Sequence, residues 1–137
     1  MKNILLLTTG GTIASRPGSD GLVPEESPPE LMQAVAGLRR HYRIDCRSIL
    51  SLDSSNIQAE EWQLIARNVY DALPSYDGIV ITHGTDTMAY TASMLSFMLV
   101  NLDKPVVLTG SQLPISSPLS DAPGNLATAF AAVQEGI

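Results

Sequence analysis

Ile4-Leu5-Leu6-Leu7-Thr8-Thr9-Gly10-Gly11-Thr12 is a continuous apolar run that stops at a pair of glycines. A strand with one face in water alternates apolar and polar residues. A run without alternation marks a strand buried on both faces, as in parallel sheets. Similar runs recur at Ile79-Val80-Ile81 and from Pro105 to Thr109, and a further strand is expected from Arg43 to Leu50. Helical stretches separate them. Ser27 precedes Pro28-Pro29-Glu30 as the cap of a helix reaching about Arg40. Ala59 to Leu73 carries Trp62, Ile65, Val69 and Leu73 on one face. Asp86 is placed to cap a helix from Thr87 to Leu99, and Gly124 to Glu135 ends at Gly136, a C-cap glycine. This alternation calls for parallel strands joined by right-handed crossovers. The expected fold is α/β, an open doubly wound parallel sheet with helices on both faces.

Two connections read as loops. Ser15 to Pro29 holds Pro17, Gly18, Asp20, Gly21, Pro24 and Pro28, and is expected to be long and mobile without ligand. Gly110 to Pro123 is the other. The Thr87 to Leu99 helix is apolar nearly all round, so it should lie between the sheet and a second covering element. Its Met88, together with Met94 and Met98, reads as core.

The chain has 137 residues, about one domain. With 45% hydrophobic and 16% charged residues it is not a disordered chain. Eight Lys and Arg against 14 Asp and Glu give a net charge of −6, which argues against nucleic acid or an anionic membrane surface as partner. No apolar run is long enough to span a bilayer, and the stretch Ile4 to Leu7 is too short for a signal peptide. Cys46 is the single cysteine, so no internal disulfide forms. It reads as a small core residue in a reducing, cytoplasmic setting.

Ligands of doubly wound sheets bind beyond the carboxyl ends of the strands. Here those ends carry Thr8 to Thr12, Asp53-Ser54-Ser55-Asn56, His83-Gly84-Thr85-Asp86-Thr87 and Gly110-Ser111-Gln112. The glycine pair does not form a dinucleotide fingerprint, and a phosphate-binding Gly-Lys-Ser/Thr loop and a Gly-x-Ser-x-Gly elbow are both missing. His41 and His83 lack metal-ligand spacing, so neither metal nor cofactor is expected. His83 reads as a structural histidine. What remains is a threonine, Thr12, in a glycine turn whose N–H groups can stabilise an oxyanion, with a Thr85-Asp86 pair on a neighbouring loop. Taken singly, each of these residues also fits a helix cap or a turn.

Thr9-Gly10-Gly11-Thr12-Ile13-Ala14 and His83-Gly84-Thr85-Asp86-Thr87-Met88-Ala89 resemble the two signatures of bacterial-type L-asparaginases, most like the cytoplasmic type I branch. Lys104-Pro105-Val106-Val107, Gly110-Ser111-Gln112, Ser120-Asp121 and Asn125-Leu126 continue the resemblance across the chain. It implies hydrolysis of L-asparagine to L-aspartate and ammonia through an acyl-threonine on Thr12. It also implies that Thr85 and Asp86 form a second catalytic group, with Asp86 holding the substrate ammonium. Asp53, Ser54 and Ser55 would hold the amino-acid end of the substrate, and Ser111 the reacting amide through its backbone. The family is oligomeric, and a second domain completes a neighbouring subunit's site.

Two features depart from that pattern. Leu22 stands where the family carries a tyrosine near the nucleophile. The lysine that pairs with the Thr-Asp group has no match, since Lys104 belongs to a strand start. Residues 1–137 are therefore expected to be an amino-terminal domain lacking its carboxy-terminal partner, with little activity alone. Two other readings are a module that binds aspartate or asparagine without turnover, and the amidase component of a tRNA-dependent amidotransferase.

Overall fold

The computed structural model describes residues 1–18, 21–24, 29–52 and 54–136. Along the chain, strand β1 (Asn3–Gly10) leads into the hairpin strands β2 (Ser15–Gly18) and β3 (Gly21–Pro24). Helix α1 (Pro29–Leu38), strand β4 (Arg43–Leu52), helix α2 (Ala59–Ala72) and strand β5 (Gly78–Thr82) follow. Helix α3 (Met88–Met98), strand β6 (Val106–Thr109) and helix α4 (Ala122–Glu135) complete the described chain.

Four parallel strands pair in the order β4-β1-β5-β6. Leu5 and Leu7 of β1 and Ile79 and Ile81 of β5 pack with Ile65 and Val69 of α2 and Leu95 of α3. On the opposite face, Ile4, Leu6 and Val80 pack with Val35 of α1 and with Phe130 and Val133 of α4. Both faces of β1 and β5 are thus buried, which is why their sequences do not alternate. The doubly wound α/β fold expected from the sequence is the fold observed.

Several local expectations need correction. Within the expected loop Ser15 to Pro29, β2 and β3 pair antiparallel from Ser15↔Pro24 to Gly18↔Gly21. Such a two-stranded ribbon accepts Pro17 opposite Leu22, since among the described residues neither edge continues a sheet. Ser27, expected as the cap of α1, lies outside the described residues. Asp86 does not cap α3, which begins at Met88 with Thr87 at the N-cap position. Cys46 is exposed rather than core. It lies on edge strand β4, beside a cavity of about 230 Å³ lined by Leu6, Thr8, Leu31 and Met32.

Helix α3 buries Thr91 and Leu95 against the sheet side, with Leu99 just beyond its end. Tyr90, Met94, Phe97 and Met98 are exposed, so Met94 and Met98 are not core residues. A residue pattern apolar all round does not reveal which stripe faces the sheet. Among the described residues nothing covers the outer stripe, and Phe97 is 80% exposed. No helix of the described chain is long and apolar enough to cross a membrane.

Candidate active site

From β1 the chain moves to β4 on one side, then to β5 on the other, so β1 and β5 flank the crevice where strand order reverses. The β1–β4 register shifts between Thr8↔Ser48 and Gly10↔Leu52, which bends the end of β1. Gly10 and Gly11 then take φ of 97° and 84°, left-handed values that glycine adopts at little cost. Thr12 opens a single 3-10 turn, Thr12–Ala14, which Ser15 closes by donating its hydroxyl to Gly11 O at 2.7 Å. Thr12 itself is half-buried at the rim.

The loop after β5 meets this turn through glycine. A Cβ on Gly11 would lie 2.5 Å from Gly84 N and 2.6 Å from Gly84 Cα. Thr12 and Thr85 are thus the residues that follow a pair of glycines in backbone contact. Thr85 is half-buried, and Asp86 is exposed in the turn before α3. Thr9 Oγ1 donates to Thr82 O at 2.7 Å, and His83 N donates to Thr109 O at 2.8 Å. A Cβ on Gly110 would collide with the His83 carbonyl, so the loop after β6 is drawn in as closely. Three of the four rim segments therefore converge.

Ser111 is buried, and its hydroxyl is committed to Leu113 O at 2.6 Å, which leaves its backbone as the part that can face a ligand. Ser55 is exposed beside the end of β4, in the turn Ser54–Asn56. Asp53 lies outside the described residues, as does the side chain of Ser54. Lys104 donates to Leu73 O at 2.6 Å and precedes β6, at the edge of the sheet opposite the rim.

His83 is 1% exposed and both ring nitrogens are bonded, Nδ1 to Gly84 O at 2.7 Å and Nε2 to Thr91 Oγ1 at 2.8 Å. Desolvation pushes its pKa down, and the Gly84 carbonyl opposes that shift. It is the satisfied structural histidine expected. Among the described residues no group of three or more His, Cys, Asp or Glu side chains gathers as metal ligands do.

Two features were not legible in the sequence. Asp121 accepts the N–H groups of Gln112 and Leu113 at 3.1–3.2 Å, and Asn125 Nδ2 bridges Asp121 and Gly110 O. These two residues, one turn apart at the start of α4, brace the Ser111 loop. Their i, i+4 spacing at a helix start does not say which loop they hold. Beneath the rim, Ser48, Thr8 and Thr82 occupy one register level across β4, β1 and β5. Among the described residues their buried hydroxyls have no hydrogen-bond partner.

Comparison with known proteins gives the chain its relatives. The amino-terminal asparaginase family matches residues 3–136. The chain is 53% identical to an L-asparaginase of Thermococcus kodakarensis over 97% of its length, and covers 41% of that relative. The solved structure of the thermostable L-asparaginase from that organism superposes with a TM-score of 0.87, covering 98% of this chain and 42% of that one. L-asparaginase 1 of Escherichia coli is 42% identical over 94% of this chain and 39% of its own. A glutamyl-tRNA(Gln) amidotransferase component of Methanopyrus kandleri is 43% identical over 99% of this chain and 31% of its own. The chain thus spans less than half the length of each.

Proposed function

The chain belongs to the asparaginase family by its amino-terminal domain, and from that premise we propose that the protein hydrolyses L-asparagine to L-aspartate and ammonia. Thr12 Oγ attacks the side-chain amide carbon, its proton passes to the departing nitrogen, and ammonia leaves an ester on Thr12. Water then hydrolyses that ester, releasing aspartate and restoring the hydroxyl. N–H groups of the glycine turn stabilise the oxyanion in both steps. Thr85 and Asp86 form the second catalytic group, and Asp86 takes the substrate ammonium. Asp53, Ser54, Ser55 and the backbone of Ser111 complete the substrate contacts. The observation that supports this reading is the Gly11–Gly84 contact, because Thr12 and Thr85 each follow one of these two glycines in the chain.

A neutral threonine hydroxyl needs a base or relay. With Leu22 where the family carries a tyrosine, that group comes from elsewhere in the protein. Residues 1–137 serve as the amino-terminal domain of a longer, oligomeric enzyme. Support comes from the partial coverage of the relatives and from an open, largely apolar surface beside edge strand β6, formed by Thr85, Met88, Ala92, Val106 and Leu108. The exposed stripe of α3 fits burial against such a partner. A cytoplasmic setting fits the single cysteine. The likeness to the glutamyl-tRNA(Gln) amidotransferase favours a second reading, in which the same acyl-threonine chemistry delivers ammonia to a partner protein.

Ammonia release beside isothermal titration with aspartate separates catalysis from binding without turnover. Residues 1–137 alone are expected to show little turnover, and addition of the second domain to restore it. Full turnover by the 137-residue chain would overturn the assignment of a missing base. Aspartate binding with no turnover in the complete protein would favour a binding module.

A further inference from the structure

Three side chains from two helices and the β5 loop form a continuous hydrogen-bond chain. Trp62 Nε1 of α2 donates to Thr91 Oγ1 of α3 at 2.8 Å. Thr91 Oγ1 lies 2.8 Å from His83 Nε2, and His83 Nδ1 lies 2.7 Å from Gly84 O. The two ends define the protons. An indole N–H can only donate and a carbonyl can only accept. Nδ1 must therefore carry the proton that faces Gly84 O. In the neutral ring Nε2 then offers its lone pair, and Thr91, already accepting from Trp62, turns its own proton to Nε2. The opposite neutral tautomer would set a lone pair against the Gly84 carbonyl.

We propose that Trp62, Thr91 and His83 form a positioning relay that clamps the Gly84 carbonyl and thereby fixes the course of Gly84-Thr85-Asp86 at the candidate site. Gly84 has no side chain to anchor it, and its N and Cα are pressed against Gly11. A peptide with that freedom can rotate unless its carbonyl is held. The bond from His83 to the next residue's carbonyl closes a small ring, and the ring is rigid only if the imidazole is fixed from behind. Thr91 and Trp62 supply that support, so the packing of α2 on α3 sets where Thr85 and Asp86 stand. His83 touches no substrate in this account. It acts through Gly84 and is a positioning residue.

The functional half of this inference rests on the reading of the site as an asparaginase centre, so the test has two independent arms. In nitrogen-detected NMR of the 137-residue chain, His83 is expected as the Nδ1–H tautomer, and an Nε2–H tautomer would overturn the relay. Thr91→Val removes the hydroxyl with little change in shape. It should shift and broaden the Gly84 to Asp86 amide resonances, Thr91→Ser should restore them, and Trp62→Phe should give a smaller change. Unchanged Gly84 to Asp86 resonances in Thr91→Val would overturn the positioning role. In the complete enzyme, Thr91→Val is expected to lower kcat roughly ten- to a hundredfold with little change in KM, and Thr91→Ser to recover it. A loss of stability with kcat per folded molecule intact would also overturn the positioning role. Failure of the asparaginase reading shows differently, as a wild-type protein without turnover whose resonances still respond to Thr91→Val.

Discussion

Gly11 and Gly84 pack backbone to backbone where β1 and β5 end, so closely that a Cβ on Gly11 would stand 2.5 Å from Gly84 N. Gly11 also holds φ at 84°. Gly11→Ala therefore meets two penalties together, a left-handed alanine and a collision with a backbone that cannot swing aside. Each costs on the order of 1–3 kcal/mol. Denaturant unfolding should show the midpoint falling with the slope unchanged. A midpoint within error of wild type would mean that the two loops are not in contact in solution.

Thr12→Ala tests the chemistry rather than the fold. Thr12 is half-buried at the head of a one-turn helix, and its loss should change stability by no more than about 0.5 kcal/mol. In the complete enzyme the acyl intermediate should vanish and ammonia release should fall to background. Mass spectrometry after rapid quench with asparagine reads the intermediate directly. Retained turnover in Thr12→Ala would remove Thr12 from its role.

The sheet was legible because burial on both faces leaves an unmistakable mark, the unbroken run from Ile4 to Leu7 and its counterpart Ile79 to Ile81. The rim followed from the fold, since polar residues after parallel strands must gather at one edge. The hairpin from Ser15 to Pro24 left no such mark. Its sequence shows no apolar alternation, and Pro17 and Gly21 look the same in a ribbon as in a loop. Strand order was invisible for a related reason, because β1 and β5 have the same composition whichever neighbour each takes. The brace from Asp121 to Gln112 spans loop residues with no periodicity, and only its geometry reveals it.

Thr82 is fully buried, and among the described residues its hydroxyl has no partner. A buried hydroxyl without a hydrogen bond costs on the order of 1–3 kcal/mol. Thr82→Val keeps the branched shape for the β5 backbone and removes that cost. The variant should be as stable as wild type or more stable by about 1 kcal/mol. Marked destabilisation would show that the Ser48, Thr8 and Thr82 hydroxyls are bonded in solution and that the polar layer under the rim supports the fold.

Asp121 gives the Ser111 loop a dependence on acid. The N–H of Gln112, and less strongly that of Leu113, holds its carboxylate below the ordinary range. A depressed carboxylate stabilises above its unfolded pKa, about 3.9, and that contribution is lost as pH falls through the folded value. Amide exchange at Gln112 and Leu113 should therefore be slow near neutrality and lose protection in acid. In Asp121→Ala it should be fast throughout. Equal protection in the two proteins would show that the loop does not depend on this carboxylate.

His83 shifts the other way in charge but not in sign of stability. Burial lowers its pKa, so the folded chain refuses a proton that the unfolded chain accepts at about 6.5. Between the folded and unfolded values the unfolded state binds more protons, and stability rises with pH. The contribution is complete above about pH 6.5, falls as pH drops toward the folded value, and is level below it. The slope from this one site is at most about 1.4 kcal/mol per pH unit. His41 is the other histidine and is exposed, so His41→Gln leaves His83 as the single titrating imidazole. Urea unfolding of that variant between pH 5 and 7, beside an NMR titration of the ring, should give a rising stability and a midpoint below 6.5. A midpoint at or above that value would mean that the ring accepts its proton while folded. Burial would then not be what sets its charge, and the neutral ring that clamps Gly84 would give way to an imidazolium near neutral pH.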